Sequence, residues 1–360
     1  MPAASAPTAG ELARRIAELV RDRVPATWKV KESFEGVRDK GRPDLEISIQ
    51  APDGQRIRLL VEIKRTVERR DIGAIARQAQ LLAGAPAVVP VVGAQYLSPS
   101  VRDALAEEGF SYADATGNLR IVADAPALFI SDRGQDRDPW RQGRPRGTLK
   151  GEPAARVARA LLDFDRAWRV RELIAASGAS NGATYRVLEY LQGEDLVSKK
   201  EDRYVVTDWE RLLRQWSSEA PFTSSTHSVS FIEPRGVGYF LNKVAKGAPF
   251  PVAVTGSFAA SEWATYAPAK AAYVYVSSIE DAAKRWGLRP NDVAPNVVLL
   301  EPGSVDAFQF VNTEPSRDGY PVAAPAQVAA DLLNGPGREP AEGEYLIAWM
   351  KENEKRWRRG

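Results

Sequence analysis

Asp44, Glu62 and Lys64 are the residues whose types and spacing could do chemistry. Pro43-Asp44 opens an alternating stretch, Leu45-Glu46-Ile47-Ser48-Ile49, and Glu62-Ile63-Lys64 stands eighteen residues beyond Asp44. A turn sequence, Pro52-Asp53-Gly54-Gln55, lies between them, and residues 57–63 read as a second strand. Folded as a hairpin, the two strands return Asp44 and Glu62 to the same end. Glu62 and Lys64 are two apart on a strand and share a face. Two acids and an amine so placed can hold Mg²⁺ and a phosphate, because Mg²⁺ takes hard oxygen ligands and keeps several waters. The metal would activate a water, and the lysine would help to stabilise or deprotonate it. Asp44, Glu62 and Lys64 are thus candidate catalytic residues, with Asp44 and Glu62 as metal ligands. Mg²⁺ is the expected cofactor if that site is active, and otherwise none is expected. A Glu-x-Lys on a strand, or a Pro-Asp before one, is common in proteins without such chemistry.

The flanking elements must position this end of the hairpin. Residues 10–24 carry Leu12, Ile16, Leu19 and Val20 on one stripe and predict an amphipathic helix. A second helix is expected over residues 72–82, with Gln78 and Gln80, and then an apolar strand over 87–92 before Gly93. These elements, with Asp44, Glu62 and Lys64 in place, resemble the PD-(D/E)XK nuclease fold, whose core order is helix, three strands, helix and strand. The resemblance covers roughly the first 130 residues. Glu11 or Glu18 would be the helix acid that some of these nucleases add; each also reads as an exposed acid on a solvated face. Many members of this fold keep the shape and lose the reaction, so the resemblance implies a fold and leaves the reaction open.

Composition narrows the chemistry. The chain has 360 residues, 44% of them hydrophobic, enough for two or three globular domains. It has no cysteine, which excludes disulfides, zinc–thiolate sites, iron–sulfur clusters and cysteine nucleophiles. Its one histidine, His227, lies in the polar run Ser224-Ser225-Thr226-His227-Ser228. Histidine metal clusters are excluded, and a Ser-His-Asp triad would have to use this one residue. The net charge of +2 means that any basic patch must be local. No stretch approaches the eighteen or so apolar residues of a membrane span. A cytoplasmic protein with no membrane partner is expected.

The chain reads as an α/β multidomain protein. Residues 1–10 are an Ala/Pro/Ser-rich arm expected to be disordered, and residues 11–131 form the nuclease-like domain. Residues 132–152 are a polar linker dotted with arginines, which could also track a DNA backbone. Residues 153–217 read as a winged helix-turn-helix. Its helices are expected over 154–162, 170–176 and 181–192, with Val170, Leu173 and Ile174 inward on the second and Tyr185, Leu188 and Leu191 inward on the third. The Ser177-Gly178-Ala179-Ser180 turn lets the second and third helices cross steeply, and Ser180 can cap the third. Asn181, Thr184 and Arg186 would meet base edges and phosphates. Lys199-Lys200-Glu201-Asp202-Arg203 would be the wing. The DNA-binding candidates are therefore Arg171, Ser180, Asn181, Thr184, Tyr185, Arg186, Lys199, Lys200 and Arg203. A helical bundle without a DNA role remains the alternative, with Tyr185 in its core and Arg171 merely on its surface.

Residues 218–360 read as a C-terminal α/β domain. Strands are expected at 251–255, 271–276, 297–300 and 306–311, and helices at 236–244, 325–333 and 342–357. Gly256-Ser257 at a helix start resembles the triphosphate-holding step of nucleotidyltransferases. Those enzymes need paired acids on the next strand, where this chain has Tyr273 and Tyr275. The expected domain is therefore nucleotidyltransferase-like in shape and degenerate in chemistry, with those tyrosines and Trp263 as core or interface residues.

Three segments taken in order resemble the AbiEi-type antitoxins of type IV toxin–antitoxin systems. They are Glu108-Gly109-Phe110-Ser111-Tyr112-Ala113-Asp114-Ala115-Thr116-Gly117-Asn118-Leu119-Arg120-Ile121, the winged helix, and the stretch from Gln327 to Glu339 containing Asp331-Leu332-Leu333. From its residues alone, the run from Asp114 to Asn118 reads as a structural turn. The resemblance implies a DNA-binding regulator whose C-terminal domain faces a cognate toxin or a second copy of itself. The expected function is a sequence-specific transcription regulator acting on double-stranded DNA. Two alternatives stand beside it: a Mg²⁺-dependent endonuclease aimed by the winged helix, and an antitoxin acting mainly through its protein partner.

Overall fold

The computed structural model describes residues 6–34, 43–75, 77, 87–136, 138–140, 148–219, 226–303 and 307–360. It is a mixed α/β protein with three sheets among these residues. The chain divides into two compact units, residues 1–145 and 146–360, except that residues 193–195 group with the first.

The first unit is built on a seven-stranded sheet in sequence order. Its strands are β1 (Lys29–Phe34), β2 (Leu45–Gln50), β3 (Arg56–Lys64), β4 (Val88–Ala94), β5 (Ser111–Asp114), β6 (Leu119–Asp124) and β7 (Ala127–Asp132). β1, β2 and β3 pair antiparallel, β3–β4–β5 parallel, and β5–β6–β7 antiparallel. The helix Ala9–Arg21 packs on one face because Thr8 and Glu11 close a capping box at its start and Leu12, Ile16 and Val20 form an apolar stripe. That stripe meets the alternate residues Leu45, Ile47, Ile49, Ile57, Leu59 and Val61 of the hairpin. The helix Pro99–Glu107 carries the β4–β5 crossover on the other face, where Val101 and Leu105 pack with Val92 and Ala94. Of the helix expected over 72–82, Gln78 and Gln80 lie outside the described residues.

The second unit begins with three helices, Glu152–Asp163, Val170–Ser177 and Asn181–Gly193. A small antiparallel sheet joins them, with β8 (Trp168–Arg169) between the first two helices and β9 (Val197–Lys200) and β10 (Arg203–Val206) after the third, ordered β8-β10-β9. Gly178 ends the second helix at φ 63°, a left-handed position that costs a glycine little. Ser180 Oγ then accepts the Ala183 N–H at 3.3 Å and caps the third helix. The helix Trp209–Glu219 leads on to a second seven-stranded sheet, ordered β14-β11-β15-β13-β12-β17-β16. Its strands are β11 (Thr226–Ile232), β12 (Val252–Thr255), β13 (Ala272–Val276), β14 (Arg289–Pro290), β15 (Val297–Pro302), β16 (Glu314–Pro315) and β17 (Pro321–Val322).

One face of this sheet carries the helices Val237–Ala245 and Ile279–Trp286, packed through Phe240, Val244, Ala282 and Trp286. The other face shares a single core with the three-helix group, running from Leu161, Leu188 and Leu212 to Ala253, Ala329 and Leu346. The strand expected over 306–311 is instead a 3-10 turn, Phe308–Phe310, whose Gln309 is buried; Asp306 lies outside the described residues. The closing helix is Glu339–Glu352, followed by a short turn of helix, Glu354–Trp357. No described helix is long and apolar enough to cross a membrane.

Candidate functional site

The hairpin brings Asp44, Glu62 and Lys64 to one end of β2 and β3. The register pairs Leu45 with Val61 and buries both, so Asp44 and Glu62 fall one step further on, across from each other. Asp44 Oδ2 accepts the Ile63 N–H at 2.7 Å, which ties the two strand ends together. Lys64 Nζ donates to Glu62 Oε1 at 3.0 Å, with both side chains about one-third exposed, 31% and 33%. The bonds described use one oxygen of each carboxylate. Among the described residues no third His, Cys, Asp or Glu converges to make a larger metal-holding group. The donor set is thus two hard carboxylates at a partly exposed strand end, which suits a cation that keeps most of its own water. Glu11 is spent on the Thr8 cap.

The helix Asn181–Gly193 divides its residues between two faces. Asn181, Tyr185 and Arg186 are exposed, and Tyr185 keeps 55% of its surface. Thr184, Val187, Leu188 and Leu191 are buried. Two sequence expectations change here. Thr184 is fully buried and its hydroxyl donates to the Ser180 carbonyl at 3.1 Å, so it cannot meet a base. Tyr185 takes the outward place instead of the inward one. The inward stripe is 184/188/191, and a threonine can join it because its hydroxyl has a backbone acceptor one turn back. Arg171 is exposed at the start of the preceding helix, and Ser180 is exposed while it caps.

The strand pair adds cations. The register sets Arg169 opposite Arg203 and Arg203 opposite Lys200, so these three point to one face of the small sheet. Trp168 and Tyr204 fill the opposite face and enter the core, and Lys199 lies over the Tyr204 ring at 5.6 Å. Arg203 Nη1 donates to the Ala167 carbonyl at 3.3 Å, which half-buries it. Glu201 and Asp202 occupy the tip. Asp202 pairs with Arg169 at 2.9 Å, and this bond holds its carboxyl below the usual range.

Other polar clusters among the described residues are tied by internal hydrogen bonds. Asp114 Oδ1 accepts the N–H groups of Thr116 and Asn118 at 2.8 and 3.1 Å, and Oδ2 accepts the Leu97 N–H at 3.0 Å. Asn118 Oδ1 in turn accepts Arg102 Nη1 at 2.5 Å and the Gly134 N–H at 2.9 Å. The run from Asp114 to Asn118 is the turn its residues predict. In the second unit, the Ser257 hydroxyl donates to the Glu342 carboxylate. Burial pushes nearby Glu339 up to about 7, helped by the charge of Glu342. A phosphate at the Gly256-Ser257 step would meet these acids, so the site is unsuited to triphosphate. Tyr275 is buried, and its hydroxyl donates to Asp331 at 3.0 Å, in a group with Thr255, Gln327 and Arg159 that sequence reading missed.

No protein-family model matches the chain, and no curated protein matches it. A solved structure described as EndoMS in apo form is similar in part, at 16% identity and a TM-score of 0.21, with 31% of this chain and 47% of that chain covered. The match spans less than half of that protein, and at this score it bears on neither the fold nor the function. The resemblance to AbiEi-type antitoxins accordingly has no family match behind it.

Proposed function

We propose that the protein is a sequence-specific DNA-binding transcription regulator that reads duplex DNA with the helix Asn181–Gly193. The observation that carries this reading is the division of that helix. Its inward side is fully packed, while Asn181, Tyr185 and Arg186 stand out to solvent just after the Gly178 turn. Asn and Arg are the side chains that bond adenine and guanine edges in pairs in a major groove. Lys200 and Arg203 on the strand pair, with Lys199 and Arg171, supply cations for the flanking phosphates. Selection from a randomised duplex pool tests the proposal. The wild-type chain should enrich one motif, and Asn181→Ala with Arg186→Ala should lose it; a wild-type selection without a motif would refute it.

A second reading is a Mg²⁺-dependent DNA endonuclease, favoured by the convergence of Asp44, Glu62 and Lys64 at one strand end. Asp44 and Glu62 would hold the metal, which supplies an activated water and charge neutralisation at the phosphate. Lys64, tied to Glu62, would steady the attacking water. Supercoiled plasmid incubated with Mg²⁺ or Mn²⁺ should be nicked by the wild-type chain and not by Asp44→Ala. Equal cleavage by the two, or none by either, removes this reading.

A further inference from the structure

We propose that the outward face of β1–β3 is a second nucleic-acid surface, which grips the phosphates of duplex DNA without regard to sequence. Strand alternation decides what this face carries. Ile47 and Ile49 of β2 point into the core, so Ser48 and Gln50 point outward. The register places Lys31 and Arg58 on either side of Ser48, and Lys29 and Arg56 on either side of Gln50. Directly paired residues share a face, so the four cations form two crosswise rows. Cations within a row stand about 10 Å apart, across two strand spacings, and the rows lie about 7 Å apart along the strands. All four side chains are exposed. Among the described residues of these rows and the Ser33–Glu46–Leu60 row beside them, the one acid is Glu46, committed to Arg58 by bonds of 2.7 and 3.1 Å, and Asp53 in the adjoining turn is held by Gln55. Lys29, Lys31 and Arg56 enter no ion pair among the described residues.

The occupant follows from the chemistry of the face. Spaced cations with Ser48 and Gln50 between them offer charge and hydrogen-bond donors to a phosphate backbone. Neither row holds an aromatic ring, so bases of a single strand would find nothing to stack on. A duplex presents its phosphates without needing such a platform. This surface is separate from the helix Asn181–Gly193 and does not depend on that helix reading sequence.

The test uses the full chain and a duplex of random sequence, with affinity followed by fluorescence anisotropy over stepped NaCl. Lys29→Gln, Lys31→Gln and Arg56→Gln are combined in one variant. They are surface changes, and unchanged circular dichroism and melting temperature verify the fold. If each cation neutralises one phosphate, the slope of log affinity against log salt becomes shallower by about 2.7. An unchanged slope overturns the proposal. So does a wild-type chain that fails to bind the random duplex, or that binds a single strand of equal length as tightly. Arg186→Ala measured in parallel separates the two surfaces: it should erase preference for a selected motif and leave most of the random-duplex slope.

Discussion

Arg358 Nε donates to the Leu162 carbonyl at 3.0 Å, across 196 residues of chain. Its Nη2 reaches the Phe164 and Leu161 carbonyls at 2.9 and 3.3 Å, and its Nη1 pairs with Glu354 at 2.6 Å. These carbonyls end the helix Glu152–Asp163, where the last turn lacks intrahelical donors and a cation is favoured. Arg359 extends the clamp, with its N–H donating to the Asp163 carbonyl at 2.8 Å. The last residues of the chain thus fasten the first helix of the same unit.

Replacing Arg358 should therefore cost stability rather than function. Arg358→Met removes a buried cation and leaves three carbonyls without that donor. A loss of about 3 kcal/mol is expected in urea unfolding of the full chain. A loss under about 1 kcal/mol would show that solvent replaces the clamp.

Gly134 is fixed by contact with the Asp114–Asn118 turn. A Cβ there would lie 2.3 Å from the Thr116 carbonyl oxygen and 2.6 Å from the Asn118 nitrogen. Both are backbone atoms and cannot swing aside. Gly134→Ala should destabilise the first unit by about 2 kcal/mol. Faster hydrogen exchange confined to residues 114–118 and their partners would locate the damage, and an unchanged melting temperature would contradict the expectation.

Thr184 and Arg186 separate a packing role from a contact role. Thr184→Val keeps the shape of a buried side chain whose hydroxyl served only Ser180, so affinity for a selected duplex should not change. Arg186→Ala should weaken that binding by about 1–3 kcal/mol. Equal losses for the two would move the contact face of the helix.

The same helix shows what the sequence can and cannot reveal. Its position and cap were readable because Gly178 and Ser180 act locally. Its rotation was not, because polarity alone sent Thr184 outward and Tyr185 inward. The stripe made by Leu188 and Leu191 continues to position 184 at i−4 and i−7, and that spacing is the signal that was available. The Asp44–Glu62 juxtaposition was readable for a related reason: a hairpin pairs residues by simple counting about its turn. The outward cation rows follow from that counting too, once β1 is known to pair with β2. The Arg159–Gln327–Asp331 group was invisible, since Arg159 and Gln327 lie 168 residues apart and no local pattern links them.

That buried group makes stability depend on pH. Asp331 is fully enclosed, and burial lifts its carboxyl from 3.8 to about 6. Hydrogen bonds from Thr255, Gln327 and Tyr275 and the charge of Arg159 oppose the rise without cancelling it. The folded state therefore holds this proton more tightly than the unfolded chain. Between pH 3.8 and about 6 the folded state binds more protons, so stability falls as pH rises through that window and levels off above it. The gap corresponds to a loss on the order of 3 kcal/mol. Glu339, lifted to about 7, adds a loss of the same sign at higher pH, so wild type must be compared with a variant that keeps it. Asp331→Asn does not titrate and retains Glu339, whose rise comes first from burial and Glu342 and only then from the Asp331 charge. From pH 4.5 to 6.5 the wild type should lose stability relative to Asp331→Asn by about 2 kcal/mol in urea unfolding. A difference that stays constant across that range would mean that Asp331 ionises in the folded protein as readily as in the unfolded chain.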